Sequence, residues 1–153
     1  VTGDGSIMQN IQELITISYL KLPIKIFVLD NNGYHSIRQT QTNYFPDNIS
    51  GTNDSDGLGF PQFKRLIKSF GINTKNINSI RALRKILKSA LFIDANPCAF
   101  IIRVDKEQLF EPKLQSRISE DGEIVTPQLH DMYPFLTEKE INENIILDAK
   151  KKN

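Results

Sequence analysis

The chain is predicted to be an α/β domain built in three layers, with a mainly parallel sheet between two layers of helix. Two observations carry this. A strand end, an amphipathic helix and a buried strand follow one another near the start, which within about thirty residues is the pattern of a βαβ unit. Further on, a helix over residues 79–92 leads into a second continuous apolar run over 97–104. Continuous rather than alternating apolar runs mark strands covered on both faces, as parallel strands are.

Taken in order, Val1-Thr2 reads as the end of a buried strand whose earlier part is missing, so a fragment of a larger protein is expected. Gly3-Asp4-Gly5-Ser6 is a turn, and Ile7, Ile11, Leu14, Ile15 and Ser18 fall on one helical face, with Met8, Ile17 and Leu20 widening it. That spacing predicts one helix over 6–20, with Ser6 as its N-cap and the free N–H groups of its first turn facing Asp4 and Gly5. Leu22-Pro23 breaks the helix, and Ile24 to Leu29 is a buried strand. A crossover of this kind places both strand ends on the same edge of the sheet, so Asp4 and Asn31 are expected to meet there, where ligands of open α/β sheets bind.

Residues 34–43 form a short helix, and 43–59 a loop rich in turn formers and long for a compact domain, therefore mobile, functional or both. Pro61 suits a helix N1 position, with Phe63, Leu66, Ile67 and Phe70 inward and Gly71 as the stop, and a short strand follows over 72–77. In the helix over 79–92, Ile80, Leu83, Ile86, Leu87, Ala90 and Leu91 face inward; Arg81, Arg84, Lys85 and Lys88 are read as a solvated face, since no aromatics interleave them. Cys98 lies in the last strand and is most simply a core residue, no basic neighbour being visible in the sequence.

The division expected is an α/β domain over 1–104 and a tail over 105–153 that packs on the domain or on a partner subunit. Phe110 to Leu114 and Tyr133 to Leu136 are the tail's apolar anchors, Asp121-Gly122 a turn between two short strands, and Thr137 with Glu140 a capping box. A net charge of +1 argues against nucleic acid or an anionic membrane as partner. The single cysteine and the lack of a long apolar run or basic leader suit a reducing, cytoplasmic setting. His35 and His130 are read as structural.

Chemically, Asp4 offers a carboxylate and Asn31 an amide oxygen, with a backbone carbonyl from the next turn as a third hard ligand for magnesium. Gly5 lets a diphosphate approach the backbone, and Ser6 and the helix N-terminus would hydrogen-bond it. Gly-Asp-Gly-Ser, then Asn10 to Leu14, Leu22 to Ile26 and Asp30-Asn31-Asn32-Gly33 together resemble the diphosphate-binding motif of thiamine-diphosphate enzymes, with the 27 positions between Asp4 and Asn31 that the motif has. The resemblance covers nearly the whole chain and is nearest to acetolactate synthase and acetolactate-synthase-like proteins. Residues 34–41 and the tail are similar to a branch associated with surface-polysaccharide gene clusters.

That resemblance implies the thiamine-diphosphate-binding fold, with Asp4, Asn31 and the Gly33 carbonyl as magnesium ligands and Gly3, Gly5, Ser6 and Tyr34 beside the cofactor. It implies a 2-oxo acid substrate, decarboxylated or joined to an acceptor, and a homo-oligomer, dimer or tetramer. It leaves FAD open for a complete protein, although nothing in this chain supports FAD. No catalytic residue is expected here: Glu13 is not the activating glutamate, which in the family belongs to a separate N-terminal domain of the neighbouring subunit. The isolated chain is therefore expected to be inactive. The alternative is a non-catalytic or regulatory α/β module. A nucleotide phosphotransferase is disfavoured by the lack of a GxxxxGK[ST] loop.

Overall fold

The structure is a computed structural model that describes residues 1–109, 111–119 and 121–144. The chain divides into two compact units, Val1–Glu107 and Gln108–Asn153. In the first, β1 (Thr2–Gly3), β2 (Lys25–Asp30), β3 (Asn73–Ile77) and β4 (Cys98–Arg103) form one parallel sheet in the order β1-β2-β4-β3. Alternation along β4 explains the layering: Ala99 and Ile101 face one way, with Val28, Ile7, Leu14, Phe63 and Ile67, while Cys98 and Phe100 face the other, with Ile77. The first layer contains α1 (Asp4–Met8), α2 (Leu14–Tyr19) and α4 (Phe63–Ser69). The second contains α5 (Ile80–Leu87) and α6 (Ala90–Ile93), where Phe27, Phe92 and Phe100 stack with centroids 5.1–6.5 Å apart. Helix α3 (His35–Tyr44) follows β2. The three-layer α/β expectation holds.

Two helices expected as single pieces are broken. Residues 6–20 divide into α1, a 3-10 turn at Ile11–Glu13, and α2. Asn10 takes φ −133°, ψ 29°, outside the helical region, as suits a side chain that competes with helical backbone. The break re-phases the face, so Leu14 is buried while Ile15 and Leu20, expected inward, are 56% and 57% exposed. The N-cap is Gly3 and not Ser6, which lies inside α1, because the helix begins at Asp4 directly off the strand. Residues 79–92 divide at Ser89, whose hydroxyl donates to the Ile86 carbonyl at 2.6 Å. Leu83, Ile86 and Leu91 pack on the sheet, but Ile80 at 68% and Leu87 at 42% are exposed. Pro61 precedes the N-cap of α4, Gln62, and is not at N1.

Ser79 caps α5, its Oγ accepting from Ala82 N at 3.2 Å. Ser79→Ala is expected to cost about 1 kcal/mol of stability, as loss of an N-cap typically does, read as a lowered thermal unfolding midpoint.

In the second unit, β5 (Arg117–Ile118) and β6 (Ile124–Val125) pair antiparallel around Gly122, which has φ +81°, as the turn signal predicts. Lys113 and Tyr133 bridge the two anchor segments; Phe110 lies outside the described residues. The capping box of α7 (Glu138–Asn144) forms, with Thr137 N–H donating to Glu140 Oε2 at 3.1 Å and Glu140 N–H to Thr137 Oγ1 at 3.3 Å. No helix among the described residues is long and apolar enough to cross a membrane.

Candidate functional site

Parallel pairing of Gly3 with Leu29 brings the ends of β1 and β2 level, so the residues that follow each strand share one rim. Asp4 is 2% exposed and receives three backbone hydrogen bonds. Gly5 N–H donates to Oδ1 at 2.7 Å, and Gly33 and Asn31 N–H donate to Oδ2 at 3.0 and 3.2 Å. Burial nevertheless pushes its carboxyl above the usual range; the bonds from Gly33 and Gly5 oppose the shift, and nearby Asp30 adds to it. An anion held in this state favours a cation beside it.

The turn after β2 makes this geometry. Asn32 at φ +59° and Gly33 at φ +145° fold the chain so that the Asn31 and Gly33 N–H groups both point at Asp4. One polar atom of the buried Asn31 amide lies 2.8 Å from the Gly33 carbonyl oxygen and 3.3 Å from Asp4 Oδ2. With nitrogen there, the amide donates to both. With oxygen there, it stands from each of the other two oxygens at about the spacing of neighbouring ligands in an octahedron of about 2.1 Å bonds, roughly 3 Å. The same side chain thus suits the metal-free and the cation-bound state.

Around this centre, the Tyr34 ring covers Gly5, where a Cβ would come within 2.2 Å of it, and meets Phe60 edge-on at 5.7 Å. The open side of Gly5 therefore faces an aromatic ring. Ser6 is exposed in the first turn of α1, its Oγ on the side of Gly3. The rim thus brings together Gly3, Asp4, Gly5, Ser6, Asn31, Gly33 and Tyr34. Glu13 is exposed and accepts a bond from the Thr16 hydroxyl at 3.3 Å, and His35 is buried at the start of α3, its Nδ1 3.2 Å from the Lys106 carbonyl oxygen. Cys98 stands opposite Lys25 in the β2–β4 register, a basic neighbour that the sequence does not reveal. Burial still raises the thiol's pKa, with Lys25 pulling the other way, so it remains a protonated core group.

Sequence reasoning misses Thr52 and Asp56. Asp56 Oδ1 accepts from Thr52 and Asn53 N–H, both at 2.7 Å, and Oδ2 from the Thr52 hydroxyl at 2.5 Å. Partial burial pushes this carboxyl up, but the Asn53 N–H and the Thr52 hydroxyl and N–H outweigh it and hold it below the usual range. Fully buried Thr52 in turn accepts at its carbonyl from Tyr34 N–H, at 2.8 Å. The loop is thus tied to the site, and a Thr four residues before an Asp among turn formers is the signal that could have found it.

A polar cleft of 360 Å³, lined by Asp30, Asn32, Arg65, Asn76 and Arg103 among others, opens beside the turn. A larger hollow of 710 Å³ in the second unit includes exposed Ile118 and Val125. The site is assigned to the rim because its polar groups are buried and converge.

A buried carboxylate, an amide and a glycine turn thus meet on the carboxyl edge of a parallel α/β sheet, the edge at which ligands of such sheets bind. Residues 1–120 match the family described as thiamine pyrophosphate enzyme, C-terminal TPP binding domain. The chain belongs to that family. It is 34% identical over 106 residues to acetolactate synthase isozyme 2 large subunit of Escherichia coli K12, covering 69% of this chain and 19% of that protein. It is 35% identical over 91 residues to the acetolactate synthase large subunit of Porphyra purpurea, covering 60% and 15%. A solved structure, the thiamine diphosphate-dependent 4-hydroxybenzoylformate decarboxylase of Rhodococcus jostii RHA1, matches with a TM-score of 0.57 at 23% identity, over 67% of this chain and 19% of that one. The chain thus spans less than a fifth of the length of these relatives.

Proposed function

We propose that this chain binds the diphosphate end of thiamine diphosphate through magnesium, as part of an acetolactate synthase-like enzyme acting on 2-oxo acids. The convergence of Asp4, the Asn31 amide and the Gly33 carbonyl carries the reading. Asp4, Asn31 and the Gly33 carbonyl would hold the ion; Gly3, Gly5, Ser6 and Tyr34 would flank the diphosphate. When bound, thiamine diphosphate supplies the electron sink by which a 2-oxo acid loses carbon dioxide and is joined to an acceptor carbonyl. The residues of this chain hold and orient; Glu13, exposed on a short turn, takes no part. The complete enzyme would be a homo-oligomer in a cytoplasmic setting.

Calorimetric titration of the 153-residue chain tests this. Thiamine diphosphate is expected to bind with magnesium present and not after chelation, and pyruvate is expected to release no carbon dioxide in steady turnover. Equal binding with and without magnesium would remove the metal from the reading.

A further inference from the structure

We propose that Asp56 is a positioning residue for the metal-binding turn, acting on the Gly33 carbonyl through two consecutive peptide groups. The inference rests on the cofactor reading above and assigns a role to a residue that is not itself a ligand.

A trans peptide group is planar and its N–H and C=O point in opposite directions, so a partner fixed on one side aims the other. The Gly33 carbonyl shares its peptide group with the Tyr34 N–H, which donates to the Thr52 carbonyl at 2.8 Å. The Thr52 carbonyl shares its own peptide group with the Asn53 N–H, which donates to Asp56 Oδ1 at 2.7 Å. The chain of contacts therefore runs from the Asp56 carboxylate, across the 52–53 peptide, across the 33–34 peptide, and ends on the carbonyl that faces Asp4 and Asn31. Two further bonds hold Asp56 in register: the Thr52 hydroxyl on Oδ2 at 2.5 Å, and the Gly51 N–H on its carbonyl at 2.9 Å.

This relay does two things. Together with the His35 N–H, which donates to the same oxygen at 3.0 Å, it fixes the direction of a carbonyl that Gly33, at φ +145°, could not hold by its own conformational preference. It also places a negative charge at the far end of aligned peptide dipoles, which polarises the Gly33 oxygen toward the cation. Magnesium demands near-ideal octahedral geometry and calcium does not, so a loosened carbonyl should weaken magnesium selectively.

The test is titration of the chain with magnesium and, separately, calcium, at saturating thiamine diphosphate. Asp56→Asn is expected to weaken magnesium about 10-fold, the scale for removing an outer partner of a metal ligand, and calcium less than about 3-fold. Thr52→Val, which removes only the hydroxyl that orients the carboxylate, should weaken magnesium about 3-fold, and Thr52→Ser should restore it. Unchanged magnesium affinity in Asp56→Asn, or equal losses for both metals in both Asp56→Asn and Thr52→Val, would overturn the relay. If the unaltered chain binds no magnesium with the cofactor, the cofactor reading falls and the relay with it; if it binds and the variants bind equally well, only the relay falls.

Discussion

Gly33→Ala is expected to lose about 3 kcal/mol of stability together with magnesium-dependent binding, because both depend on one backbone conformation. At φ +145° an L side chain is strained whatever the space, and here there is none: a Cβ would lie 2.0 Å from the Thr52 carbonyl oxygen and 3.1 Å from Asn53 Cβ. Relief needs the 33–34 peptide to turn or the loop to retreat. Either movement breaks the Tyr34–Thr52 bond and swings the Gly33 N–H away from Asp4. A thermal unfolding curve and a magnesium titration on the same sample check it. Gly57, also at positive φ with no atom within 4 Å of its added Cβ, is the control, since Gly57→Ala there meets backbone strain alone and should leave magnesium binding intact.

Asp4→Ala is expected to weaken magnesium-dependent binding more than about 100-fold, beyond the range for an outer partner, since it removes the one carboxylate of the proposed ligand set. The pH dependence gives a second, sharper test. Burial places the folded carboxyl of Asp4 above its ordinary value. The stability it contributes to the metal-free chain is fully present below the unfolded carboxylate value and is lost as pH rises through the folded one. Metal binding needs the ionised form, so magnesium affinity should climb over that same interval. Opposite slopes for metal-free stability and magnesium affinity, both absent in Asp4→Ala, are the expected result. Parallel slopes would assign the titration to another group.

Much of the fold was legible because the signals were local and redundant. The apolar runs of β2 and β4 have no other stable placement than between helical layers, and the pairing of Asp4 with Asn31 follows from the crossover itself. The helix breaks at Asn10 and Ser89 were not legible: apolar spacing tells which residues seek the core, and a continuous helix and a re-phased pair satisfy much of the same spacing. Thr52 and Asp56 were hidden for a different reason. A loop of turn formers advertises that side chains will bond backbone, but which N–H each carboxylate takes is decided only once the loop is laid against Gly33. The register of β2 with β4, likewise, is what reveals Lys25 beside Cys98.

Strand β1 pairs with β2 through Thr2 and Gly3, and Asp4 follows directly from its end. The proposed ligand set is thus divided between two neighbouring parallel strands, β1 and β2, the second held along six residue pairs by β4. On the proposed reading, a bound cation would therefore act as a clasp between the two strands. Cofactor loading would then be felt as slower amide exchange at Gly5, Asn31 and Gly33, whose N–H groups meet Asp4.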